Sequence, residues 1–484
     1  MGLQPDQNLS RRAFLRTAAL AAAAAALPAA SQTRPPNVIL FVIDDLGWMD
    51  LGCQGSTFYE TPHLDRLARE GVRFTDAYAA CPVCSPSRAA LMTGRYPGSV
   101  GFTGHITAIG RHRSKPHGRV IPPDDRMFLD PRETTLAEAL APAGYVSASI
   151  GKWHLGSREY WPERQGFDFN VAGYDHGSPP GYFDPYEDPD KSWNTDIPTL
   201  ADREAGEYLT DRLTDEAVRF VEQSGDRPFL LYLPHYAVHT PLQAPPELVA
   251  KYRKKLASDD SQFDPVYAAM IEKVDDSLGR LMQALERLGK RENTLIVATS
   301  DNGGLLESTR NRPLREGKGS LYEGGVRVPL IVCWPNGFAG GAVSHEPVSG
   351  VDLYPTIAEA AGERARPGAV EGRSLLPALR DPAAAQPERD LLWYYPQYSP
   401  QFQRPGAALR RGRWKLIEHY DPPAVELYDL ADDLGETRDL AASQPEKAAE
   451  LLARLRGWID EHVSIRHRLN PKYDPALAAQ EKLQ

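Results

Sequence analysis

Four apolar runs, each stopping abruptly at polar and chemically able residues, do most to limit what this chain can fold into. Asn37–Ile43 reads NVILFVI and halts at Asp44-Asp45. Residues 145–150 lead into Gly151-Lys152-Trp153-His154, residues 229–233 precede His235 and His239, and residues 294–299 end at Ser300-Asp301-Asn302. Unbroken β-branched and aromatic runs are strands buried on both faces, as in a parallel or mixed sheet. Residues 328–332 form a fifth such run. Helical patterns lie between them. Residues 61–71 carry a cap, a first-turn proline, an apolar stripe and a terminal glycine, and Thr135-Leu136-Ala137-Glu138 has the form of a capping box. From Asp264 to Gly289, apolar residues recur at helical spacing from Tyr267 to Leu288. The order predicts an α/β fold, and open α/β sheets bind ligands beyond the carboxyl ends of their strands.

That rule gathers Asp44, Asp45, Lys152, His154, His239, Asp301 and Asn302 on one sheet edge. Three carboxylates and an amide oxygen are hard ligands, suited to calcium or magnesium rather than zinc. Adjacent carboxylates such as Asp44 and Asp45 repel unless a cation lies between them or the loop is solvated. Two further segments carry chemistry. Residues 82–95 read as a short helix, with Pro86 in its first turn, Gly94 as a left-handed stop, and Cys84 at its mouth. A thiol there lies beside unpaired N–H groups and the positive dipole end, although a small buried cysteine fits the local sequence equally well. Arg88 follows one turn later, and Gly317-Lys318-Gly319 adds a lysine in a glycine-rich stretch. Such an inventory suits an ester of a tetrahedral oxyanion, phosphate or sulfate, without separating the two.

The N-terminus reads as an address. Ser10-Arg11-Arg12-Ala13-Phe14-Leu15-Arg16 precedes an alanine-rich run, the pattern of a twin-arginine export signal over residues 1–31. That run is too short and too weakly apolar for a spanning helix, so no stable membrane span is expected. The formal net charge is −10, which argues against nucleic-acid partners. Four cysteines are too few for a disulfide scaffold. Cys81 and Cys84 form a lone C-x-x-C that could be a redox pair, half a zinc site or a disulfide. No second pair completes a zinc site.

Cys84-Ser85-Pro86-Ser87-Arg88 with the following Ala-Ala-Leu-Met-Thr-Gly-Arg resembles the defining motif of the type I, formylglycine-dependent sulfatases. Asp44-Asp45-Leu46-Gly47, Gly151-Lys152-Trp153-His154-Leu155-Gly156, His239-Thr240-Pro241, Ser300-Asp301-Asn302-Gly303 and Gly317-Lys318-Gly319 match in order. The texture is similar to arylsulfatase and N-acetylgalactosamine-6-sulfatase relatives. The resemblance implies an alkaline-phosphatase-like fold: a large mixed sheet sandwiched by helices, with a smaller C-terminal antiparallel sheet plus helix. It implies oxidation of Cys84 to formylglycine by a formylglycine-generating enzyme, and one Ca2+ held by Asp44, Asp45, Asp301, Asn302 and residue 84. Arg88 would stabilise the aldehyde hydrate. Lys152 and Lys318 would hold sulfate oxygens, His154 would orient or deprotonate the diol, and His239 would protonate the departing alcohol. Glu316 departs from the small residue common in relatives and could alter the field around Lys318. His235 and Cys81 receive no role.

The expected organisation is the signal over residues 1–31, a catalytic domain over 36–385 and a C-terminal α+β subdomain over 386–484. The expected activity is hydrolysis of sulfate monoesters of a sulfated carbohydrate, as a small molecule or oligosaccharide, in the periplasm or outside the cell, after twin-arginine export. Alternatives are a phosphonate or phosphate ester hydrolase of the same superfamily and a noncatalytic binding protein on the same scaffold. The basic segment from Arg111 to Arg119 is expected as a surface loop or as a rim attracting an anion, and residues 175–199 as a long loop shaping the pocket.

Overall fold

The apolar run at Asn37–Ile43 becomes the central strand because both of its faces are fully covered. Ile39, Phe41 and Ile43 pack into one hydrophobic layer, while Val38, Leu40 and Val42 pack into another. The computed structural model describes residues 34–107, 114–187, 194–256, 263–363, 368–402, 404–481 and 483. The export signal read over residues 1–31 lies outside the described residues, as do Arg111, His112 and Arg113.

The main sheet has eight strands: β1 (Asn37–Ile43), β2 (Val72–Phe74), β3 (Val146–Ile150), β4 (Phe169–Val171), β5 (Phe229–Pro234), β6 (Thr294–Ser300), β7 (Leu330–Cys333) and β8 (Ala342–Ser344). Their spatial order is β8-β2-β7-β6-β1-β5-β3-β4. All neighbours pair in parallel except β7, which runs antiparallel to both β2 and β6. The sheet is therefore mixed, and β1, β3, β5 and β6 all point their carboxyl ends at one edge.

Helices cover both faces: α1 (Pro62–Glu70), α2 (Cys84–Thr93), α3 (Leu136–Leu140), α4 (Leu209–Gln223), α5 (Pro265–Arg287) and α6 (Leu353–Ala360). Helices α1, α4 and α5 pack on the Ile39–Phe41 face, and α2, α3 and α6 on the other. The α5 stripe is buried as its spacing requires, from Tyr267 to Leu285. Thr135 and Glu138 form the expected capping box of α3. The start of α1 differs from expectation. Thr61 does not cap it; the Asp275 carboxylate of α5 accepts from the N–H groups of His63 and Leu64 at 3.0 and 2.7 Å. A carboxylate from a neighbouring helix thus satisfies orphan donors that the local sequence leaves open.

Near the C-terminus, β9 (Asp390–Tyr395), β10 (Gly406–Arg411), β11 (Trp414–Tyr420) and β12 (Pro423–Asp429) form an antiparallel meander. One of its faces packs on α7 (Pro445–His462) through Leu451, Leu455 and Ile459. The other lays Trp393, Tyr395 and Ile417 against Tyr78, Cys81 and Val83, directly behind the start of α2. Residues Pro36–Gln484 form one compact unit.

Candidate active site

The carboxyl edge of the sheet collects the residues that the strand ends carry. Asp44 and Asp45 follow β1, Asp301 and Asn302 follow β6, Lys152 and His154 follow β3, and His239 lies beyond β5. The backbone turns sharply here. Asp45 and His154 both adopt left-handed conformations, with φ of 60° and 57°. Such conformations cost energy for residues with a Cβ and persist where surroundings over-determine them. The Asp44 N–H donates to Ala237 O at 3.0 Å, Lys152 N–H to Pro234 O at 2.8 Å, and Leu46 N–H to Ser300 Oγ at 3.0 Å. These bonds stitch the strand ends to one another.

Cys84 opens α2, and Gly94 closes it at φ 67° with its N–H on Ala90 O. The Cys84 sulfur and carboxylate oxygens of Asp44 and Asp301 lie within 4.8 Å of one another; so do the sulfur, an Asp45 oxygen and a His239 nitrogen. One turn on, the fully buried Arg88 guanidinium contacts Asp301 Oδ2 through Nε and Nη2, both at 2.8 Å, and donates from Nη1 to Lys152 O at 2.8 Å. Lys152 Nζ donates to Asp44 Oδ2 at 2.6 Å, and Lys318 Nζ lies 2.6 Å from Asp45 Oδ1. Each carboxylate thus has its own cation. Every sequence-predicted site residue is brought into this cluster.

The charges set the protonation preferences. Burial, then the Asp301 charge, pushes the Asp44 carboxyl up to about 8 against the pull of Lys152. Burial acts on Asp45 too, but Lys318, His239 and Lys152 together hold it well below the usual carboxylate range. Asp301 is also held down, by Arg88 above all against burial. Burial pushes the Cys84 thiol up, outweighing Lys152 and Lys318. The histidines disclose their tautomers. His154 Nε2 faces the Ile106 carbonyl at 3.0 Å, so it carries the proton and Nδ1 holds a lone pair with no hydrogen-bond partner. His239 Nδ1 faces the Thr240 carbonyl at 2.8 Å, leaving its Nε2 lone pair toward the cluster. Burial, then Lys318, pushes His239 down to about 3.

The donor set fits a hard cation. Asp44 Oδ1 and Asn302 Oδ1 are buried acceptors without a hydrogen-bond partner. Buried oxygens of that kind are what a calcium or magnesium ion satisfies. Above the cluster opens a cleft of about 610 Å³. Cys84, His154, His239 and Lys318 line its floor, and His105, Phe128, Asp175, His176 and Gln401 stand in its walls. Gly177 approaches the His154 ring so closely that a Cβ there would sit 2.3 Å from Cε1.

A sulfatase family model matches residues 36–363, and a second, described as N-sulphoglucosamine sulphohydrolase, C-terminal, matches residues 317–463. The chain belongs to the sulfatase family. It is thereby a sulfuric ester hydrolase, which agrees with the oxyanion chemistry of the cluster. A sulfatase from Formosa agariphila is 32% identical over 90% of this chain and 91% of its own length. The N-acetylgalactosamine-6-sulfatase of Canis lupus familiaris is 37% identical over 74% of this chain and 69% of the relative. The crystal structure of Ps i-CgsB in complex with k-i-k-neocarrahexaose superposes with a TM-score of 0.74 at 32% identity, covering 91% of this chain and 94% of that one.

Other expectations resolve within the sulfatase. His235 is buried, with Nε2 2.9 Å from Ser277 Oγ and its ring edge-on to Phe41; it is a core residue. Cys81 and Cys84 are both free thiols, so the C-x-x-C is not a disulfide. The charges acting most on Lys318 are Asp45, Cys84 and Asp44. Of the basic segment, His117 pairs with Glu481, and Arg119 donates from its N–H to Asp421 and from Nη1 to Tyr420 O. These described members dock on the C-terminal region instead of ringing the cleft. The wall residues His105, Asp175, His176 and Gln401 come from aperiodic segments. The loop reading of residues 175–199 was the one signal that reached any of them.

Proposed function

We propose that this sulfatase hydrolyses sulfate monoesters of carbohydrates, and that residue 84 works as the hydrate of formylglycine made from Cys84 by a formylglycine-generating enzyme. The observation that carries the reading is the placement of Cys84: a thiol at the mouth of α2, against the acid and cation cluster, whose surroundings favour the protonated thiol. A protonated thiol is a poor nucleophile. A geminal diol at the same position offers two hydroxyls with distinct uses.

In this reading one diol hydroxyl gives its proton to solvent, favoured by the neighbouring Lys152 and Lys318 charges, and its oxygen attacks sulfur as the S–O bond to the alcohol breaks, giving a covalent sulfo-enzyme. His239 Nε2 passes a proton to the departing oxygen; an anionic ester bound beside it supplies the negative charge that favours the imidazolium. His154 Nδ1, the partnerless lone pair, takes the proton of the second hydroxyl. The C–O bond to sulfate then breaks, sulfate leaves, and the aldehyde is restored and rehydrates. Lys152 and Lys318 hold sulfate oxygens, and Arg88 keeps Asp301 ionised and in place. Asp44, Asp45, Asp301 and Asn302, with residue 84, would hold Ca2+, whose chemistry is to offset charge on the sulfate oxygens.

A carbohydrate substrate is supported by the N-acetylgalactosamine-6-sulfatase relative and by the neocarrahexaose complex of Ps i-CgsB. The cleft adds chemical support. Phe128 stacks on Tyr160 at 4.0 Å and lines the cleft together with carboxylate, imidazole and amide groups able to bind hydroxyls. Residues 36–385 would carry the chemistry and residues 386–484 would brace the start of α2. Residues 1–31 would direct twin-arginine export to the periplasm or beyond; lysine at Arg11 and Arg12 should then retain the protein in the cytoplasm.

The test is a panel of defined sulfated oligosaccharides run beside matched aryl sulfate and phosphonate esters, with mass spectrometry of the peptide carrying residue 84. The reading expects sugar desulfation, weaker phosphonate turnover and an aldehyde at residue 84. Full turnover by enzyme with an unoxidised cysteine, or by Cys84→Ala, would overturn it.

A further inference from the structure

We infer that Asp125, outside every motif of the site, is a positioning residue for His154. The inference rests on the role given to His154 above. Among the described residues, one hydrogen bond to the ring determines which His154 nitrogen faces the reacting groups, and its acceptor is the Ile106 carbonyl at 3.0 Å. Ile106 belongs to the aperiodic stretch that follows Gly101, so no helix or strand holds that carbonyl. It is held from two directions. The Ile106 N–H donates to Ser85 Oγ at 3.1 Å, beside residue 84. The peptide just before it is clamped by a single carboxylate: Asp125 Oδ2 accepts from Thr103 N at 2.8 Å and Gly104 N at 2.6 Å, and Asp125 Oδ1 accepts from Thr103 Oγ1 at 2.9 Å.

The clamp is anchored in turn to the C-terminal sheet. Gln397, two residues past β9, donates from Nε2 to Thr103 Oγ1 at 3.0 Å and to Asp125 Oδ2 at 3.3 Å. Thr103 and Gln397 are buried. Charge-assisted bonds to buried N–H groups are strong and directional. Removing the acceptor leaves orphaned donors that relax by moving the chain. The movable part is the Gly104–Ile106 peptide, and its displacement frees the His154 ring to turn. The clamp thus ties the tautomer and aim of one imidazole to the docking of the small sheet. His105, between Gly104 and Ile106, is carried into the cleft wall by the same clamp.

A double-mutant cycle on the full exported enzyme tests this, with rates normalised to the formylglycine fraction at residue 84. Asp125→Ala should lower kcat about ten- to a hundred-fold, the loss expected of a displacement near 1 Å, with KM for an aryl sulfate changed less than about twofold. In a His154→Ala background the same substitution should change kcat less than about twofold, because the group it positions is gone. Equal losses in both backgrounds overturn the proposal and leave the reading of His154 standing. Full turnover by His154→Ala alone overturns that reading and the proposal with it. If melting curves show that Asp125→Ala does not fold, Thr103→Val, which keeps the shape and removes the bridging hydroxyl, runs through the same cycle with the same deciding outcomes.

Discussion

Lys415→Met should destabilise the protein strongly at alkaline pH and far less at mildly acidic pH. Lys415 on β11 is wholly buried, with Nζ 2.8 Å from Glu323 Oε1 and 2.9 Å from Glu436 Oε1, both of them buried carboxylates. Glu323 has further support from Arg327 at 2.9 Å and from the Tyr78 hydroxyl at 2.7 Å. Glu436 has the Glu323 N–H at 2.7 Å and otherwise relies on the lysine. Methionine matches the shape of lysine and removes its charge, which strands Glu436. Breaking a buried pair in this way costs about 3–5 kcal/mol. Burial, then repulsion from Glu323, already pushes Glu436 up to about 7 from its ordinary 4.5, with Lys415 holding it down. A raised carboxyl favours folding when protonated, so its contribution is full below about 4.5 and is lost as pH rises through about 7. The whole swing is about 3 kcal/mol. Without Lys415 the carboxyl rises further, and at pH near 6 it is neutral and cheap to bury. Urea unfolding followed by tryptophan fluorescence at pH near 6 and near 8.5 measures both losses. Equal losses at the two values, or a loss under about 1 kcal/mol at the higher one, would refute the reasoning.

Two further substitutions probe the site. His239→Gln should lower turnover of sugar sulfates by about 10²-fold or more while an aryl sulfate with a good leaving group loses little, because only a poor leaving group needs the proton; paired kcat measurements on the two substrates decide it. Gly177→Ala should lower kcat about ten- to a hundred-fold with the fold intact by circular dichroism, since the new methyl would meet the His154 ring at 2.3 Å and displace it.

The central strands were legible because burial on both faces demands unbroken apolar runs. The observed β1 spans the predicted Asn37–Ile43, and β5 and β6 each extend one residue beyond expectation. The short strands β2, β4 and β8 hold three residues each, too few for any periodicity to register. Helix α4 is illegible for another reason. Thr210 and Thr214 lie in its buried face beside Leu209, Leu213 and Ala217, which makes the stripe look polar; Thr214 reconciles burial with polarity by bonding Thr210 O and Ser277 Oγ. Strand β10, Gly406–Arg411, is hard to read because it alternates weakly and starts with glycine. In the site, the floor is legible because Cys84 opens a helix, His154 and His239 follow strands, and Lys318 stands between two glycines. Of the walls, only Asp175 and His176 fall in a segment read as shaping the pocket; His105 and Gln401 owe their place to tertiary packing of aperiodic chain.

The pairing of one cation with each carboxylate has a consequence for how the sulfatase divides its positive charge. Asp301 is served by Arg88, Asp44 by Lys152 and Asp45 by Lys318, so three cations face three carboxyl groups, of which Asp44 is the one pushed toward its neutral form. A divalent cation held by the same oxygens would add two charges. Lys152 and Lys318 would then have less to gain from the carboxylates and more from a sulfate ester above them. Arg88 differs because its two contacts to Asp301 and its bond to Lys152 O commit the guanidinium to the floor. On this argument Lys318 both competes with the cation for Asp45 and recruits the substrate. Lys318→Met should therefore tighten calcium binding several-fold in a calorimetric titration and weaken competitive inhibition by inorganic sulfate in the same preparation. If both affinities fall together, Lys318 is instead holding Asp45 in a shape that the cation needs, and the division of charge argued here fails.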